Sequence, residues 1–333
     1  MPEALRLASN LHVARKNSHD WGISARGFNA ELGNKLLVMI DGRAVYTPLW
    51  SGVRWDVQDY LLEDLDRVEV ISGPGGSVWG ANAVNGVINI TTKSAEETQG
   101  LYVEAGGGNQ LRDFEAFRYG GKLAPGIFFR VYAKHFERNS EVFSTGMGAG
   151  DSSSVAQGGF RLDAHLNNTD TLTLQSDYYH GREGVAGAGD AKVAGGNLLS
   201  RWSKILENGS DFQLQFYYDR SFLRLPVAAG PFGPPGKFTD DLETYDLDFQ
   251  HNLAQAGAHR IVWGLGYRLI EDDSRDAPAL GFDPRAVQHD LFSGFLQDQI
   301  AFGDKTFLTI GTKLEHTEYT GVEVEPTAVQ LSA

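Results

Sequence analysis

The stretch GPGGSVWGANAVNG, from Gly73 to Gly86, comes closest to a known binding chemistry. It follows a Val-rich strand pattern, and a glycine-rich loop after a strand can hold a phosphate through its backbone N–H groups. A P-loop also needs a Lys, which this stretch lacks, and the dinucleotide fingerprint needs Gly where the chain has Val78. Nucleotide binding is therefore disfavoured. The alternative is a set of tight turns, which glycine permits through positive φ angles.

The residue types of metal and hydrolytic sites are present but scattered. The nine histidines form neither H-x-x-x-H nor H-E-x-x-H, so no metal site is predicted from them. No G-x-S-x-G nucleophile motif occurs. Acidic runs such as Glu271-Asp272-Asp273 lie at predicted loop ends, where solvation and binding of external divalent cations are the alternatives. We therefore expect no enzyme and no resident cofactor.

Composition restricts the class of protein further. The 333 residues carry a net charge of −14, which disfavours an electrostatic grip on nucleic acid. Cysteine is absent and glycine is abundant, at 40 residues, which suits strands and turns better than helices. No apolar run approaches the length of a membrane helix. The segment MPEALRLASNLHVARKNS also lacks the apolar core of a signal peptide.

A series of motifs in fixed order resembles the plug domain of TonB-dependent outer-membrane receptors. In chain order they are Arg26-Gly27-Phe28, an apolar strand ending in Asp41-Gly42, the segment Asp66-Arg67-Val68-Glu69-Val70, then Gly73-Pro74, and a closing segment with Gly80, Asn82-Ala83, Gly86 and Asn89-Ile90. The match covers about residues 18 to 93. Asp66 stands where the family usually has Glu, which is a mild departure.

The resemblance gives these residues a structural role. The glycines would let a compact domain turn sharply inside a pore. Arg67 and Glu69 alternate with Val68 and Val70, so one face of this strand is charged and the other is apolar. By the resemblance, the charged face lies against the inner barrel wall, which should then carry partner charges. The alternative is a solvated edge strand.

After residues 94–100, which form a short polar linker, the chain changes to repeated segments of alternating polarity, as in transmembrane β-barrels. In IFFRVYAK, for example, Phe129 and Val131 alternate with Arg130 and Tyr132. A soluble sandwich also alternates in this way. The sequence predicts eleven strands, at 101–107, 111–120, 127–137, 157–166, 171–180, 196–206, 211–222, 242–251, 259–271, 289–302 and 306–319.

The lengths of the connections favour the barrel over the sandwich. After the first hairpin they alternate between short and long, with long ones predicted at 138–156, 181–195, 223–241 and 272–288. Barrels of this kind have short periplasmic turns and long external loops. If the plug enters from the periplasm, the first strand runs outward and these four connections face outside. The lengths of the connections and the direction of the first strand therefore put the same four connections on the outside.

The predicted fold is thus a small α/β plug domain over residues 1–93, incomplete at its N-terminus, followed by barrel strands over residues 101–333. A plugged barrel of this family needs about 22 strands. We therefore expect a chain truncated at both ends, with about 11 strands. No export signal is recognised in it.

The resemblance implies a receptor in the bacterial outer membrane that imports a scarce ligand. We expect a ferric siderophore, with cobalamin as the alternative, and movement of the plug by a TonB-type energy-coupling protein. The implied partners are outer-membrane lipid and a small-molecule metal chelate. A non-transporting barrel fragment or surface-binding protein is the second hypothesis, and a soluble β-rich binding domain is the third.

Ligand contacts in such a receptor come from the plug apices, here 26–34 and 44–55, and from the outer loops. The second apex holds four residues that could stack on, or attract, an anionic aromatic chelate. They are Tyr46, Trp50, Arg54 and Trp55. The alternative for each is simple packing of the plug against the barrel wall.

Overall fold

The computed structural model describes most of the chain, in the ranges 1–27, 33, 35–72, 83–231, 233–303 and 305–332. Five residues of the plug motifs lie outside the described residues, namely Phe28, Gly73, Pro74, Gly80 and Asn82. The chain divides by pattern into a plug domain, residues 1–93, and barrel strands that follow residues 94–100.

The plug domain is built from short strands. In chain order these are β1 Leu11–Arg15, β2 Trp21–Ala25, β3 Leu36–Ile40, β4 Arg43–Ala44, β5 Tyr46–Thr47, β6 Gly52–Val53, β7 Leu65–Ser72 and β8 Gly86–Thr92. A four-stranded sheet has the order β4-β3-β8-β7, with β3 parallel to β8, and two further ribbons pair β1 with β2 and β5 with β6. The helical segments of the described residues are the 3-10 turns Pro2–Leu7 and Leu62–Asp64, so the expected α-helical part of the plug is not found there.

The apolar strands β3 and β8 make the core of the plug. They lie side by side in the middle of the sheet, so both faces are covered, and a continuous apolar sequence is the pattern that such strands require. Val38, Ile88 and Ile90 are each at most 1% exposed. The indoles of Trp21 and Trp55 close the same core from the ribbon and loop side.

Two glycines of the plug have conformations or neighbours that a side chain would disturb. Asp41 and Gly42 form the turn between β3 and β4 with φ angles of 52° and 80°, the pair of positive values typical of an Asp-Gly hairpin turn. A Cβ atom at Gly86 would lie 2.5 Å from the carbonyl oxygen of Ile71. Gly86 therefore allows β7 and β8 to approach at the start of their pairing.

The rest of the chain forms one sheet of twelve strands among the described residues. The strands are β9 Gly100–Gly106, β10 Leu111–Ala124, β11 Ile127–Arg138, β12 Ser153–His165, β13 Asp170–Val185, β14 Gly189–Ile205, β15 Asp211–Val227, β16 Gly236–Asn252, β17 His259–Arg275, β18 Ala286–Phe302, β19 Thr306–Thr317 and β20 Gly321–Ser332. Each strand pairs antiparallel with the next along the chain, and β9 and β20 are the two edges. This is the meander expected of an up-and-down barrel.

Each of the eleven predicted strands corresponds to one of β9 to β19, but β20 was not predicted. Pro326 lies within β20 and pairs with Thr312 of β19. Proline cannot donate to the hydrogen-bond ladder, so a strand accommodates it where its missing N–H points away from the neighbour.

The predicted long connections at 181–195 and 223–241 are largely strand. β13 and β14 pair as far as Val185 and Gly189, leaving only the turn 186–188, and β15 and β16 leave 228–235. Continued pairing satisfies backbone groups that an irregular loop would have to leave to water. The connection 139–152 does remain long. We call the end of the sheet that carries 139–152, 186–188, 228–235 and 276–285 the outer end.

Alternate residues of the barrel strands face in opposite directions. On β11, Arg130 is buried against the plug and Val131 is 41% exposed on the other face. On β17, Arg268 turns inward to Asp246, and Leu265 is 58% exposed. The outer face is thus apolar and the inner face polar, the arrangement that suits lipid outside and a filled lumen inside.

In the part of the chain that the structure describes, we find no helix with the length and apolar character needed to cross a membrane.

The outward face generates a first prediction. An Arg in place of Leu265 should destabilise the chain folded in phospholipid vesicles by about 2–4 kcal/mol, because a cation would enter the hydrocarbon. Guanidinium titration followed by tryptophan fluorescence measures this. His259→Arg is the matched control, since His259 lies on the same face of β17 near the short turn 253–258 and already contacts Asp298 at 2.6 Å. Equal effects of the two substitutions would contradict a lipid-facing belt.

Candidate functional site: the plug–barrel interface and the cavity above it

The turn at Asp41 and Gly42 is the point at which plug and barrel are most closely joined. The Asp41 carboxylate accepts hydrogen bonds from the backbone N–H and hydroxyl of Thr92, both at 2.8 Å, and from Gln175 of β13 at 2.9 Å. Arg201 of β14 donates to the Asp41 carbonyl oxygen at 2.5 Å. Asp41, through its carboxylate and its carbonyl oxygen, therefore ties the β3–β4 turn and β8 of the plug to two barrel strands.

Arg43 forms the second junction, one residue beyond this turn. Its side chain is 3% exposed and forms an ion pair with Asp219 of β15. It also donates to the Tyr60 hydroxyl at 3.1 Å, which in turn donates to Asp177 of β13 at 3.2 Å. Burial opposes the charge on Arg43, but Asp219, Tyr60 and Asp177 together outweigh it and raise the pKa of the guanidinium above its ordinary value. Arg43 is therefore a fixed cation inside the barrel.

Asp64 forms the third junction, near the short-turn end of the sheet. It is 3% exposed and lies 3.5 Å from Arg118 of β10 and 3.8 Å from Arg130 of β11. Both arginines also donate to backbone carbonyl oxygens at the end of the plug and in the linker, on Thr98 and Lys93. Burial raises the pKa of Asp64, and the two guanidinium groups act against that rise. The linker between plug and barrel is thus held to the wall by the same charges.

Arg67 and Glu69 contact other plug residues in the described part of the chain. Arg67 contacts its neighbours Asp66, at 2.6 Å, and Glu69, at 3.4 Å. Glu69 also accepts a hydrogen bond from Asn89 at 2.9 Å. Their side chains are 54% and 46% exposed, and all these partners belong to the plug. Among the described residues, the plug charges that do reach the barrel strands include those of Asp41, Arg43, Asp59 and Asp64.

The remaining plug-motif residues have mainly conformational roles. Arg26 and Gly27 form an exposed turn after β2, with φ angles of 55° and 91°. The carbonyl oxygen of Gly42 accepts a hydrogen bond from the side chain of Gln215 on β15 at 3.3 Å.

A cavity of about 770 Å³ lies between the plug and the outer ends of the strands. The plug contributes the tip of the β1–β2 ribbon and residues 50–56, and the barrel contributes 141–151, 183–186 and the ends of β14 and β15. This volume falls in the range of small-molecule sites. Its apolar surface comes mainly from Trp21, Trp50, Trp55, Phe143, Leu223 and Leu225.

Three of the four candidate ligand-contacting residues line this cavity. They are Trp50, Arg54 and Trp55, whereas Tyr46 lies half-buried elsewhere in the plug. The Trp50 indole donates to Asp240 at 2.9 Å and meets Phe238 edge-on, with ring centroids 6.0 Å apart. Trp55 is 4% exposed and belongs to the plug core, so ligand contact and packing both apply to it.

Arg54 is not available as a free cation. It donates to Asp56 at 2.5 Å and lies 3.7 Å from Glu183 of β13. Burial opposes its charge, but these two carboxylates raise the pKa of the guanidinium above its ordinary value. Arg54 therefore stays charged and neutralised within the protein.

The tip of the β1–β2 ribbon was not predicted to belong to the site. The Ser18 amide donates to Asp151 at 2.9 Å, and the His19 ring contacts Asp20 at 3.0 Å and the Gly184 carbonyl oxygen at 3.1 Å. Burial opposes the charged imidazole, but the hydrogen bond to Asp20 and the charge of Glu183 raise the pKa of His19 to about 9. The ribbon tip is thus hydrogen-bonded to the barrel at two places near its outer end, Asp151 and Gly184.

The sequence contains little that indicates these contacts of the ribbon tip. The segment 16–20 lies before the motif-rich part of the plug, and its partners Asp151 and Gly184 follow more than a hundred residues later. The available signal was the polar run Lys16 to Asp20 between two short apolar alternations, which predicts a ribbon turn but not its position.

The N-terminal part of the chain matches a known protein family. The family model described as TonB-dependent Receptor Plug Domain matches residues 1–87. Residues 1–87 therefore belong to the plug-domain family of TonB-dependent receptors. This range includes Asp41-Gly42 and Gly86.

The chain is similar in sequence to two proteins of Vibrio species. An iron-regulated outer membrane virulence protein of Vibrio cholerae is 22% identical over 339 aligned positions, covering 91% of this chain and 47% of that protein. A vitamin B12 transporter of Vibrio vulnificus is 34% identical over 135 residues, covering 38% of this chain and 21% of that protein. The chain thus spans about half the length of the iron-regulated relative.

Solved structures share the fold of this receptor chain. The siderophore receptor of Acinetobacter baumannii superposes with a TM-score of 0.76 at 16% identity, over 100% of this chain and 58% of that one. A ferric enterobactin receptor of Pseudomonas aeruginosa gives 0.75 at 18% identity, over 99% of this chain and 57% of that one. The arrangement of plug and antiparallel strands is therefore that of known receptors.

Paired arginines of the plug generate the second prediction. Arg43→Met should destabilise the receptor chain by about 3–5 kcal/mol, because Asp219 would keep a buried charge without its partner. Arg67→Met is the matched control and should change stability by no more than about 0.5 kcal/mol, because Arg67 is solvent-exposed. Chemical unfolding in detergent measures both. A cost at Arg67 as large as that at Arg43 would place Arg67 in the interface after all.

The ribbon tip generates the third prediction. The pKa of His19 rises from 6.5 to about 9 on folding, so its stabilising contribution is complete below pH 6.5 and is lost as the pH rises towards 9. His19→Gln should remove that dependence. The difference in unfolding free energy between wild type and variant should therefore shrink by on the order of 3 kcal/mol between about pH 6 and about pH 10. A difference that is constant with pH would show that folding does not raise the pKa of His19.

Proposed function

We propose that this chain provides the plug and the ligand-binding wall of an outer-membrane transport receptor. A scarce ligand, in the first instance a ferric siderophore, enters the cavity from the outer end. It is released inward when the plug moves, and a TonB-type energy-coupling protein supplies that movement. Lipid of the outer membrane surrounds the apolar outer face of the strands.

The observation that carries this proposal is the composition of the cavity walls. One wall belongs to the plug, through Trp50 and Arg54, and the other belongs to the barrel strands and the connection 139–152. A ligand in this cavity contacts both domains at once. Movement of the plug therefore changes the site directly, which is the requirement for coupling binding to release.

The interface between plug and barrel is suited to such movement. Its contacts at Asp41, Arg43 and Asp64 are hydrogen bonds and ion pairs. The main apolar core of the plug is internal to it, and one smaller apolar cluster joins Trp50 and Val57 to strands β13 to β15. Water can replace lost hydrogen bonds, whereas exposing an apolar interface has no such compensation. A plug with a polar surface can therefore shift inside a hydrated barrel while its own core stays folded.

The names of the relatives support a metal chelate or a corrinoid as the ligand. One relative is iron-regulated, another transports vitamin B12, and the Acinetobacter structure is of a siderophore receptor. A cavity of about 770 Å³ fits ligands of this size class better than it fits a bare ion. We place the ferric siderophore first because iron-related names occur among the relatives that align along most of this chain.

The fourth prediction tests binding at the cavity. Trp50→Ala should weaken binding of the cognate chelate roughly tenfold or more, since a buried aromatic wall is lost. Trp202→Ala is the matched control, because Trp202 lies on β14 and contacts Asp170 and Phe212 away from the cavity. Radiolabelled chelate retained by the detergent-solubilised chain measures affinity.

Uptake separates transport from binding alone. Cells that carry the protein should accumulate labelled chelate when the TonB complex is energised and should only bind it at the surface when that complex is removed. Accumulation that does not depend on the complex would contradict the proposed mechanism. Surface binding without accumulation in either strain would leave a binding protein and remove the transport function.

A further inference from the structure

We propose that the ligand of this cavity is an uncharged or cationic ferric chelate of the trihydroxamate class, and not an anionic ferric tris-catecholate. This inference rests on the proposed function and narrows it. It is drawn from the way in which the cavity's charged side chains are already paired, which determines the ligand charge that this wall can accept.

Carboxylates outnumber cations among the described residues that line the cavity. The carboxylates are Asp20, Asp56, Glu141, Asp151 and Glu183, and the cationic side chains are Lys16, His19 and Arg54. If the deeply buried Glu183 holds a proton, four carboxylates still face three cations. The wall as a whole thus offers an anion no excess of positive charge.

Each cation of the lining also has a carboxylate neighbour within the protein. Arg54 is bound to Asp56 at 2.5 Å and lies 3.7 Å from Glu183. His19 contacts Asp20 at 3.0 Å and lies 3.9 Å from Glu183. The charge of Lys16 acts on Asp20, where it helps His19 and Asn17 to overcome burial and lower the pKa of that carboxyl. An anionic ligand would have to take these cations from their partners.

The carboxylates at the barrel side are held differently. Glu141 is paired with Arg15 at 2.6 Å, outside the cavity lining. Asp151 accepts only backbone N–H groups, from Ser18 and Glu141, both at 2.9 Å. Its charge is therefore solvated by the chain but is not neutralised by a cation in these contacts. Asp151 is the strongest local reason for the site to attract positive charge.

A second source of negative potential lies behind Trp50. The carboxylate of Asp240 accepts the Trp50 N–H at 2.9 Å and is 4% exposed. In such poorly solvated surroundings, a carboxylate repels an approaching anion more strongly than it would in water.

The apolar part of the lining is consistent with the same ligand class. Trp21, Trp50 and Phe143 offer aromatic faces, on which the methylene chains of a hydroxamate or a pendant ammonium group can rest. A catecholate chelate could also stack on these rings, but its negative charge would find no unpaired cation on this wall. Arg54 was expected to attract an anionic chelate. In this proposal it does not, because its guanidinium already contacts Asp56 and Glu183.

The test compares chelates that differ in charge, bound to the full chain in detergent. The probes are an uncharged ferric trihydroxamate, a ferric trihydroxamate with a free ammonium group, ferric enterobactin as the anionic tris-catecholate, and cyanocobalamin as an uncharged corrinoid. Radiolabelled iron or cobalt retained on a filter gives each dissociation constant. We expect at least one of the two hydroxamate chelates to bind roughly tenfold or more tightly than the catecholate.

A charge variant tests the electrostatic argument itself. Val142 lines the cavity mouth and is 65% exposed on the connection 139–152, so it can be changed without disturbing the core. Val142→Arg should strengthen binding of the catecholate and weaken binding of the ammonium-bearing hydroxamate, each several-fold, whereas Val142→Gln should change neither. The ratio of the two affinities is the readout, because a folding defect would lower both together.

The outcomes separate this inference from the proposed function. Tighter binding of ferric enterobactin than of either hydroxamate would overturn the inference and leave the receptor function standing. Binding of cyanocobalamin alone would overturn the assignment of a ferric chelate, although the ligand would still be uncharged. Failure of all four probes to bind would remove the proposed function and the inference with it. An unchanged affinity ratio in Val142→Arg would show that charge does not select the ligand.

Discussion

Every charged group that the plug removes from water must find its partner on the inner wall of the barrel, and this requirement organises the structure. Asp41, Arg43 and Asp64 are each almost fully buried, and each meets hydrogen-bond or charge partners on β10 to β15. Leaving one of them unpaired would cost several kcal/mol. The inward positions of the strands are therefore polar because they pair with the plug, and the outward positions are apolar because they face lipid.

That division explains how much of the fold the sequence could reveal. Period-2 alternation predicted all of β9 to β19, because one face of each strand meets lipid and the other meets a polar lumen. It did not delimit β20, which contains Pro326, a residue that cannot donate to the hydrogen-bond ladder. It also overestimated the connections at 181–195 and 223–241, since the strands keep pairing past the apolar segment that the pattern detects.

The candidate site was harder to predict because its residues come from distant parts of the chain. Trp50, Arg54 and Trp55 could be chosen by residue type and by the position of a plug apex. Their environment could not, since Asp56 is a neighbour in sequence while Glu183 and Asp240 come from strands β13 and β16. The types suggested a cationic and aromatic site for an anion. The cross-strand partners neutralise the cation and leave mainly the aromatic part of that description.

The same pairing that closes the cavity to an anion connects it to the plug. Arg54 and His19 are plug residues, and their shared neighbour Glu183 belongs to the barrel. A cationic group arriving in the cavity would compete with Arg54 and His19 for Glu183 and would weaken the hold of the barrel on the plug. A ligand that competes with plug cations for barrel carboxylates favours the displaced plug by its differential contacts, which is the condition for a ligand to shift a conformational equilibrium. An anion would also break the contact between Arg54 and Glu183, but among the described lining residues it would gain no cationic partner on the barrel side.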